Sequence, residues 1–326
     1  MSADSIVADW RPSATLEVLA ARARMLAQIR AFFLERQVME VETPLLSRHG
    51  VTDPALESLR LERAGIGGAR WLHTSPEFPM KRLLAAGSGP IFQICKVFRD
   101  DERGRRHHPE FTLLEWYRPG LAMHALMDEV AALVRCVLHR QDLAMQRIAY
   151  RDLFCSRLGL DPWSASPDAR REAAIRRQVP GAAMLDLDAD GWLDLLLSHC
   201  LEPGLGQDAM SFVYDYPPSQ AALARIRDDA RPVAERFELY INGMELANGF
   251  QELTDAAEQR RRFERDLDDR RGRSQAPVPM DEPFLSALAA GMPETTGVAL
   301  GLDRLLMIAV GATQIDQVLA FPVERA

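Results

Sequence analysis

The stretch VFRDDERGRRHHPEFTLLEWY (97–117) places a dense group of opposite charges between two apolar segments. One apolar run, IFQICKVF (91–98), leads into it, and another, FTLLEWY (111–117), leads out of it. Both runs have the length and the aromatic and β-branched content of buried strands. The sequence therefore predicts two strands joined by a loop that is crowded with arginines, carboxylates and two histidines.

Two interpretations of this loop are open. Charges at the tip of a hairpin cost little when water solvates them, so the loop could be an ordinary exposed turn. Alternatively, the charges meet a ligand that carries several negative charges together with a divalent metal. Arginine suits a phosphate because its planar guanidinium forms paired, charge-assisted hydrogen bonds.

The rest of the chain predicts a single α+β domain, in which helices flank an antiparallel sheet. Helical periodicity or start signals occur at 15–36, 75–87, 121–140, 255–271, 282–290 and 303–310. Strands are predicted at 38–44, 211–218, 236–253 and 297–301, with a hairpin around the glycine-rich AGIGGAR at 64–70. We expect the segment from about 121 to 205 to be a helical insert.

The composition excludes several classes of protein. With 326 residues, 47% hydrophobic and 26% charged, the chain is ordinary for a globular protein. It has no apolar run of about 18 residues and no signal pattern at the N-terminus, so we expect a cytoplasmic location. The four cysteines are far apart, which predicts reduced thiols. The net charge of −8 argues against a global nucleic-acid-binding surface.

Lysine is nearly absent from the chain. Only Lys81 and Lys96 occur, against 37 arginines. A mechanism with a covalent lysine intermediate could therefore use only these two positions.

Two later segments carry further candidate residues. GMELANGFQEL (243–253) places Glu245 and Glu252 seven residues apart, which in a regular strand puts them on opposite faces. We expect a bend or bulge near Asn248–Gly249 if both reach one pocket. In GVALGLDR (297–304), a glycine at a strand end lets backbone approach a ligand, and the arginine that follows could reach a terminal phosphate.

In this order the segments resemble a known family. VETP (41–44) after a long helix, FRDDE…HHPEFTLLEWY and GVALGLDR are similar to the three motifs of class II aminoacyl-tRNA synthetases. SPEFPMKRLL (75–84) and ELANGFQELTDAAEQRRRF (245–263) resemble the lysyl-tRNA synthetase group within that class. The resemblance runs from about residue 15 to the C-terminus and implies a homodimer built on the 15–36 helix and VETP.

The position of the first motif indicates which members of the lysyl-tRNA synthetase group the chain resembles. The catalytic pattern begins near residue 15, and we therefore expect no anticodon-binding domain. Among known proteins the chain then looks like the truncated paralogues that attach (R)-β-lysine to a lysine of elongation factor P. A minimal lysyl-tRNA synthetase and a catalytically inactive, lysine-binding regulatory paralogue are the alternatives.

The resemblance implies that ATP and Mg²⁺ are used to form an aminoacyl adenylate. Arg99 would bridge the substrate carboxylate and the α-phosphate, and Arg304 would contact the γ-phosphate. Phe111 would stack on adenine, while Glu245 and Glu252 would hold the metal. The full set expected at ATP is Arg99, Asp100, Asp101, His108, Phe111, Glu245, Leu246, Gly301 and Arg304. Asp101 and His108 depart from the family pattern, which has Glu and Asn there.

A lysine-like substrate has two ammonium groups, so the resemblance implies a pocket of carboxylates and a hydroxyl. Glu77 would contact the amine near the substrate's carboxylate. Glu115 and Tyr117, two residues apart on one strand face, would contact the distal amine, with Glu252 nearby. The set expected at the amino acid is Ser75, Pro76, Glu77, Glu115, Tyr117, Asn248, Glu252 and Ala299. Ala299 stands where lysyl-tRNA synthetases have glycine.

Overall fold

The computed structural model describes residues 10–62, 67–100 and 102–326. Its helices are α1 (Leu16–Glu35), α2 (Glu77–Ala85), α3 (Met123–Leu138), α4 (Tyr150–Leu158), α5 (Pro167–Arg176), α6 (Ala189–Leu196), α7 (Ala256–Gly272), α8 (Glu282–Gly291) and α9 (Leu302–Val310). Its strands are β1 (Met39–Glu40), β2 (Leu46–Ser47), β3 (Arg60–Leu61), β4 (Arg70–Leu72), β5 (Ile91–Phe98), β6 (Glu110–Pro119), β7 (Ala144–Ala149), β8 (Ala209–Tyr216), β9 (Ile226–Arg227), β10 (Val233–Ile241), β11 (Met244–Gln251) and β12 (Thr295–Gly301). No helix among these residues is long and apolar enough to span a bilayer.

The main sheet runs in the order β1–β5–β6–β12–β11–β10–β8–β7, and β9 pairs with β10. The pairs β1–β5 and β7–β8 are parallel, whereas the central strands are antiparallel. A small antiparallel sheet, β2–β4–β3, lies beside it. The predicted α+β class with a mostly antiparallel sheet is confirmed.

The six predicted helices all form, each within two residues of its predicted ends. The strand predicted at 38–44 is shorter, since only Met39–Glu40 pairs with β5. The segment Ala144–Ala149, where the sequence predicts the start of helical structure, is instead an edge strand parallel to β8. Its alternation is weak, so pairing with a neighbour decides its conformation. The predicted glycine-rich turn falls partly on residues 63–66, outside the described residues, and β3 and β4 pair on either side of it.

A tight hairpin joins β10 to β11. Asn242 and Gly243 both have positive φ, 51° and 64°, as a two-residue turn with the twist of the flanking strands requires. Beyond the turn the register shifts, because Tyr240 faces Glu245 whereas Leu239 faces Ala247, leaving one extra residue in β11. The bulge is thus at residue 246, and the predicted location near Asn248–Gly249 is wrong.

Three apolar clusters hold the sheet and its helices together. The first lies under α1, α3 and α9 and contains Phe33, Trp116, Leu126 and Leu306. The second joins α4–α6 to β8 and β10, and the third joins α2, α7 and α8. In β6, residues 114 and 116 face the first cluster while residues 115 and 117 face the opposite side. The strand period therefore leaves the second face of the sheet for a site.

One buried arginine connects α7 to the loop that precedes β3. The Arg270 side chain is 1% exposed and donates hydrogen bonds to the carbonyls of Asp53, Leu56 and Ala276 and to the Glu57 carboxylate. These acceptors lose their partner if the guanidinium is removed, and unpaired buried polar groups are costly.

We expect Arg270→Met to lower the free energy of unfolding by about 3 kcal/mol, because it leaves the Glu57 carboxylate and buried carbonyls without their donor. Arg271→Met is the matched control, since that side chain is 74% exposed and makes only a surface ion pair. Urea denaturation of both variants measures the effect. Equal losses in the two variants would contradict the assigned role.

Candidate active site

A cavity of about 1770 Å³ opens on the second face of the main sheet. Its walls come from the sheet, the loop at 46–58, α2, α6 and α7. It gathers most of the predicted site residues: Ser75, Glu77, Arg99, His108, Phe111, Glu115, Tyr117, Glu245, Leu246, Asn248, Glu252, Ala299, Gly301 and Arg304. Pro76 and Asp100 do not line it, and Asp101 lies outside the described residues. Residues that are up to 229 positions apart in sequence thus share one cavity.

A row of directly opposed residues crosses five strands, and three of its members, Glu115, Ala299 and Asn248, line the cavity. Glu115 pairs with Gln93 on one side and with Ala299 on the other. Ala299 in turn pairs with Asn248, and Asn248 with Glu238. Directly opposed residues in antiparallel strands point to the same face. The Ala299 methyl group therefore lies between the Glu115 and Asn248 side chains in the lining of the cavity.

Glu115 is a buried carboxylate with two donors. Ser75 Oγ donates a hydrogen bond to its Oε1 at 2.6 Å, and the Tyr117 hydroxyl donates to its Oε2 at 2.9 Å. Burial and the nearby Glu77 charge raise the pKa of Glu115 to about 7, against the lowering effect of these hydrogen bonds. An ammonium ion bound beside it would favour its ionised form.

Lys81 pairs with two of the predicted substrate residues. Its Nζ lies 2.5 Å from Glu77 Oε1 and 2.6 Å from Glu252 Oε2, and the residue is 1% exposed. Burial by itself would lower the pKa of Lys81, but the Glu252 and Glu77 charges raise it above its ordinary value. Lys81 is therefore protonated, and this ion pair was not anticipated from the sequence.

The glycine at 297 makes room for this end of the cavity. A Cβ there would collide with the Glu252 carboxylate and with the Tyr117 ring. Any larger residue would have to displace one of the two. The first glycine of GVALG therefore has a steric role in addition to its place in the motif.

The other end of the cavity carries the two predicted arginines. The Arg99 guanidinium lies 5.1 Å from the centre of the Phe111 ring and bonds Glu102 Oε1 at 3.2 Å. Arg304 donates to the Glu245 carbonyl at 2.9 Å, and its Nη1 is 3.7 Å from the Glu245 carboxylate. At Gly301 the surroundings are open, since an added Cβ would meet its nearest atoms only at 3.9 Å. This end has the donors and the space for a phosphate chain.

The two adjacent histidines have different environments. His108 is buried, its Nε2 accepts from the Val323 backbone N–H, and its Nδ1 donates to the Glu110 carbonyl. Both ring nitrogens of His108 are therefore used within the protein. His107 also lines the cavity, and burial followed by the Arg304 charge lowers its pKa. His107 is a site residue that the sequence analysis missed.

Glu245 belongs to a different charge cluster from Glu252. Burial and the Glu238 carboxylate raise the pKa of Glu245, while Arg304 and Arg236 lower it. Burial, followed by the charges of Glu245 and Glu238, raises the pKa of Glu202 to about 7. The charges that act most strongly on Glu252 are instead those of Lys81 and Glu77. The structure thus groups Glu245 with Glu238 and Glu202, not with the carboxylate predicted as its partner.

Glu238 and Glu202 were also missed by the sequence analysis. The Asn-Gly pair at 242–243 was a usable signal for Glu238, because a two-residue hairpin there aligns β10 with β11. No local pattern marks Glu202. No group of three or more His, Cys, Asp or Glu side chains in the described part of the chain is arranged to hold a metal by itself. A cation here would need oxygen ligands from a substrate as well.

Comparison with known proteins agrees with this geometry. The family described as tRNA synthetases class II (D, K and N) matches residues 1–325. Proteins from Salmonella typhi, Salmonella dublin and Salmonella gallinarum, named elongation factor P–(R)-β-lysine ligase, are 47% identical over 326 residues. Each alignment covers 99% of this chain and 100% of the relative. The chain therefore belongs to the class II tRNA synthetases of the D, K and N type.

Proposed function

We propose that this protein activates (R)-β-lysine with ATP and transfers it to the ε-amine of a lysine on elongation factor P. The observation that carries the proposal is a single cavity with buried carboxylates at one end and two arginines, Arg99 and Arg304, at the other. The names of relatives that match over their full length support the same substrate and acceptor. The conclusion is an ATP-dependent, amide-forming ligase.

In the first step, a carboxylate oxygen of the amino acid attacks the α-phosphorus of ATP, and pyrophosphate leaves. Such a transition state needs positioning and charge neutralisation more than covalent help. Arg99 bridges the attacking carboxylate and the α-phosphate, and Arg304 binds the terminal phosphate. Phe111 offers its ring to adenine, and Leu246 and Gly301, which line the cavity, are in the expected nucleotide contacts.

The residues present fit Mg²⁺ better at Glu245 and Glu238 than at Glu245 and Glu252. Glu238 is the strongest charge acting on Glu245, whereas Glu252 Oε2 lies 2.6 Å from Lys81 Nζ and is occupied by that ion pair. Bound Mg²⁺ would neutralise charge on the pyrophosphate leaving group. Because Mg²⁺ commonly takes one or two carboxylates plus phosphate oxygens, a pair suffices. Glu252 is then left to bind a substrate ammonium group.

In the second step, the acceptor's ε-amine attacks the carbonyl carbon of the adenylate. AMP leaves, the nitrogen loses a proton, and an amide forms. The chain offers no exposed lysine at the site to form a covalent intermediate, since Lys81 is buried and ion-paired and Lys96 lies beside Glu110. We therefore expect the aminoacyl group to pass directly from the adenylate to the acceptor amine.

Two assays test this function. ATP–pyrophosphate exchange should depend on (R)-β-lysine, and labelled (R)-β-lysine should pass to elongation factor P and not to purified tRNA. Charging of tRNA at a comparable rate would favour a minimal lysyl-tRNA synthetase. Exchange with neither (R)-β-lysine nor α-lysine would favour a lysine-binding regulatory protein.

The proposal includes the organisation of the chain. The described residues act as one catalytic domain in the cytoplasm, with 121–205 as an insert.

A homodimer is also proposed, because apolar side chains on α1 and β1 are exposed. Leu16 is 75%, Leu34 77% and Met39 50% exposed. A second copy would cover this surface. We expect a dimer in sedimentation at micromolar concentration, and a fully active monomer would contradict it.

We expect Arg99→Ala and Arg304→Ala each to slow adenylate formation at least a hundredfold, since loss of one charge contact to the transition state costs about 3 kcal/mol. Arg140→Ala is the control, because its side chain is 51% exposed and pairs only with Asp142. Pyrophosphate exchange measures all three variants. An Arg99→Ala enzyme within threefold of wild type would remove that arginine from its role.

The pKa of Glu115, about 7, predicts a pH-dependent affinity. An ammonium group binds the ionised carboxylate, and the ionised fraction rises as pH increases through 7. We expect the KM for (R)-β-lysine to fall about tenfold between pH 6 and pH 8. In Glu115→Gln the KM should be higher and less dependent on pH. A flat KM profile for wild type would contradict this assignment.

Ala299→Gly should raise the activation of α-lysine relative to (R)-β-lysine. The methyl group lies between Glu115 and Asn248, and the two isomers differ by one carbon in the position of one amine. A methyl-sized contact is typically worth about 1–3 kcal/mol in discrimination. Values of kcat/KM for both isomers on both proteins measure the change, and an unaltered ratio would mean that Ala299 only packs the sheet.

A further inference from the structure

Lys81 stands behind the wall of the cavity. Glu77 and Glu252 both line the cavity, whereas Lys81 does not. The lysine ammonium bonds both carboxylates and lies 5.9 Å from the centre of the Phe284 ring, within the cluster that joins α2 to α8. A ligand in the cavity therefore meets the two carboxylates first and the lysine only through them.

Four charged groups at this end of the cavity act on one another. Glu77, Glu115 and Glu252 supply three carboxylates, and Lys81 supplies one ammonium ion. The strongest charges acting on Glu252 are those of Lys81, Glu77 and Glu115, and those acting on Glu115 are Glu77 and Lys81. With every group ionised, the set has a net charge of minus two.

We propose that Lys81 is a positioning residue that sets this charge at minus two, so that the pocket matches an amino acid carrying two ammonium groups. A substrate with two ammonium groups neutralises the set, while a substrate with one leaves a buried negative charge without a partner. Unpaired buried charges are strongly unfavourable, so the net charge of the pocket discriminates between substrates with two ammonium groups and substrates with one. The inference rests on the proposed function for the identity of the substrate.

A purely structural role for Lys81 makes a different prediction. If the lysine only holds α2 against β11, then its loss and the loss of a substrate-binding carboxylate should weaken binding independently. If it sets the charge, removing one carboxylate should compensate for removing the lysine. The two roles are therefore separated by a double-mutant cycle.

The cycle compares wild type with Lys81→Met, Glu252→Gln and the double variant. The pocket charge is minus two in wild type, minus three in Lys81→Met, minus one in Glu252→Gln and again minus two in the double variant. Calorimetry without ATP at pH 8.5, above the pKa of Glu115, about 7, and that of Glu252, about 8, measures the Kd of (R)-β-lysine and of 3-aminohexanoic acid, which lacks the distal ammonium group. Lys96→Met is the matched control, because it removes the only other lysine, which is partly exposed beside Glu110. Its Kd should equal that of wild type.

We expect each single variant to bind (R)-β-lysine about tenfold more weakly and the double variant to recover about tenfold relative to Lys81→Met. The double variant should also bind more tightly than Glu252→Gln, and this comparison decides the matter if Lys81→Met does not fold. A double variant as weak as the weaker single variant, or equal affinity of wild type for the two compounds, would overturn the inference.

These binding measurements use neither ATP nor the acceptor protein. A wild-type protein that binds (R)-β-lysine but does not transfer it would overturn the proposed function and leave the role of Lys81 intact. A wild-type protein that binds neither compound would overturn both.

Discussion

Burial of charge is the constraint on which the rest of this structure depends. A carboxylate on the covered face of a sheet is costly unless a cation or hydrogen-bond donors accompany it. Here Glu77 and Glu252 share Lys81, Glu115 has two hydroxyl donors, and Glu238 accepts from Arg236 and two tyrosine hydroxyls. The helices and strands around the cavity are arranged so that each of these partners reaches its carboxylate.

The balance between carboxylates and cations differs between the two ends of the cavity. At the Lys81 end the carboxylates outnumber the cations, which suits ligands with ammonium groups. At the other end Arg99 and Arg304 lie close to backbone carbonyls and to single carboxylates, so they keep donors available for phosphate. One cavity thus presents opposite electrostatic characters to the two ends of a reaction between an amino acid and ATP.

Retaining so many buried charges has a consequence for stability. A well-packed apolar cluster of similar volume is often as stable as a buried ion pair or more so. The apolar clusters under α1, α3 and α9 therefore supply most of the free energy of folding, and the charged face is retained for its chemistry. The apolar clusters and the charged cavity can lie on opposite faces of the sheet because alternate residues of β6 point to opposite sides. Leu114 and Trp116 face the apolar cluster, and Glu115 and Tyr117 face the cavity.

The sequence by itself determined six of the helices, the antiparallel α+β class and fourteen of the residues that line the cavity. Those features depend on local periodicity and on motifs whose order along the chain carries the family resemblance. Only the tertiary structure decided that the bulge falls at residue 246, that Glu245 belongs with Glu238, and that Lys81 pairs with Glu77 and Glu252. Strand register and ion pairing join residues far apart in sequence, such as Lys81 and Glu252, which are 171 positions apart, and no local pattern encodes which of many charged side chains will meet in space.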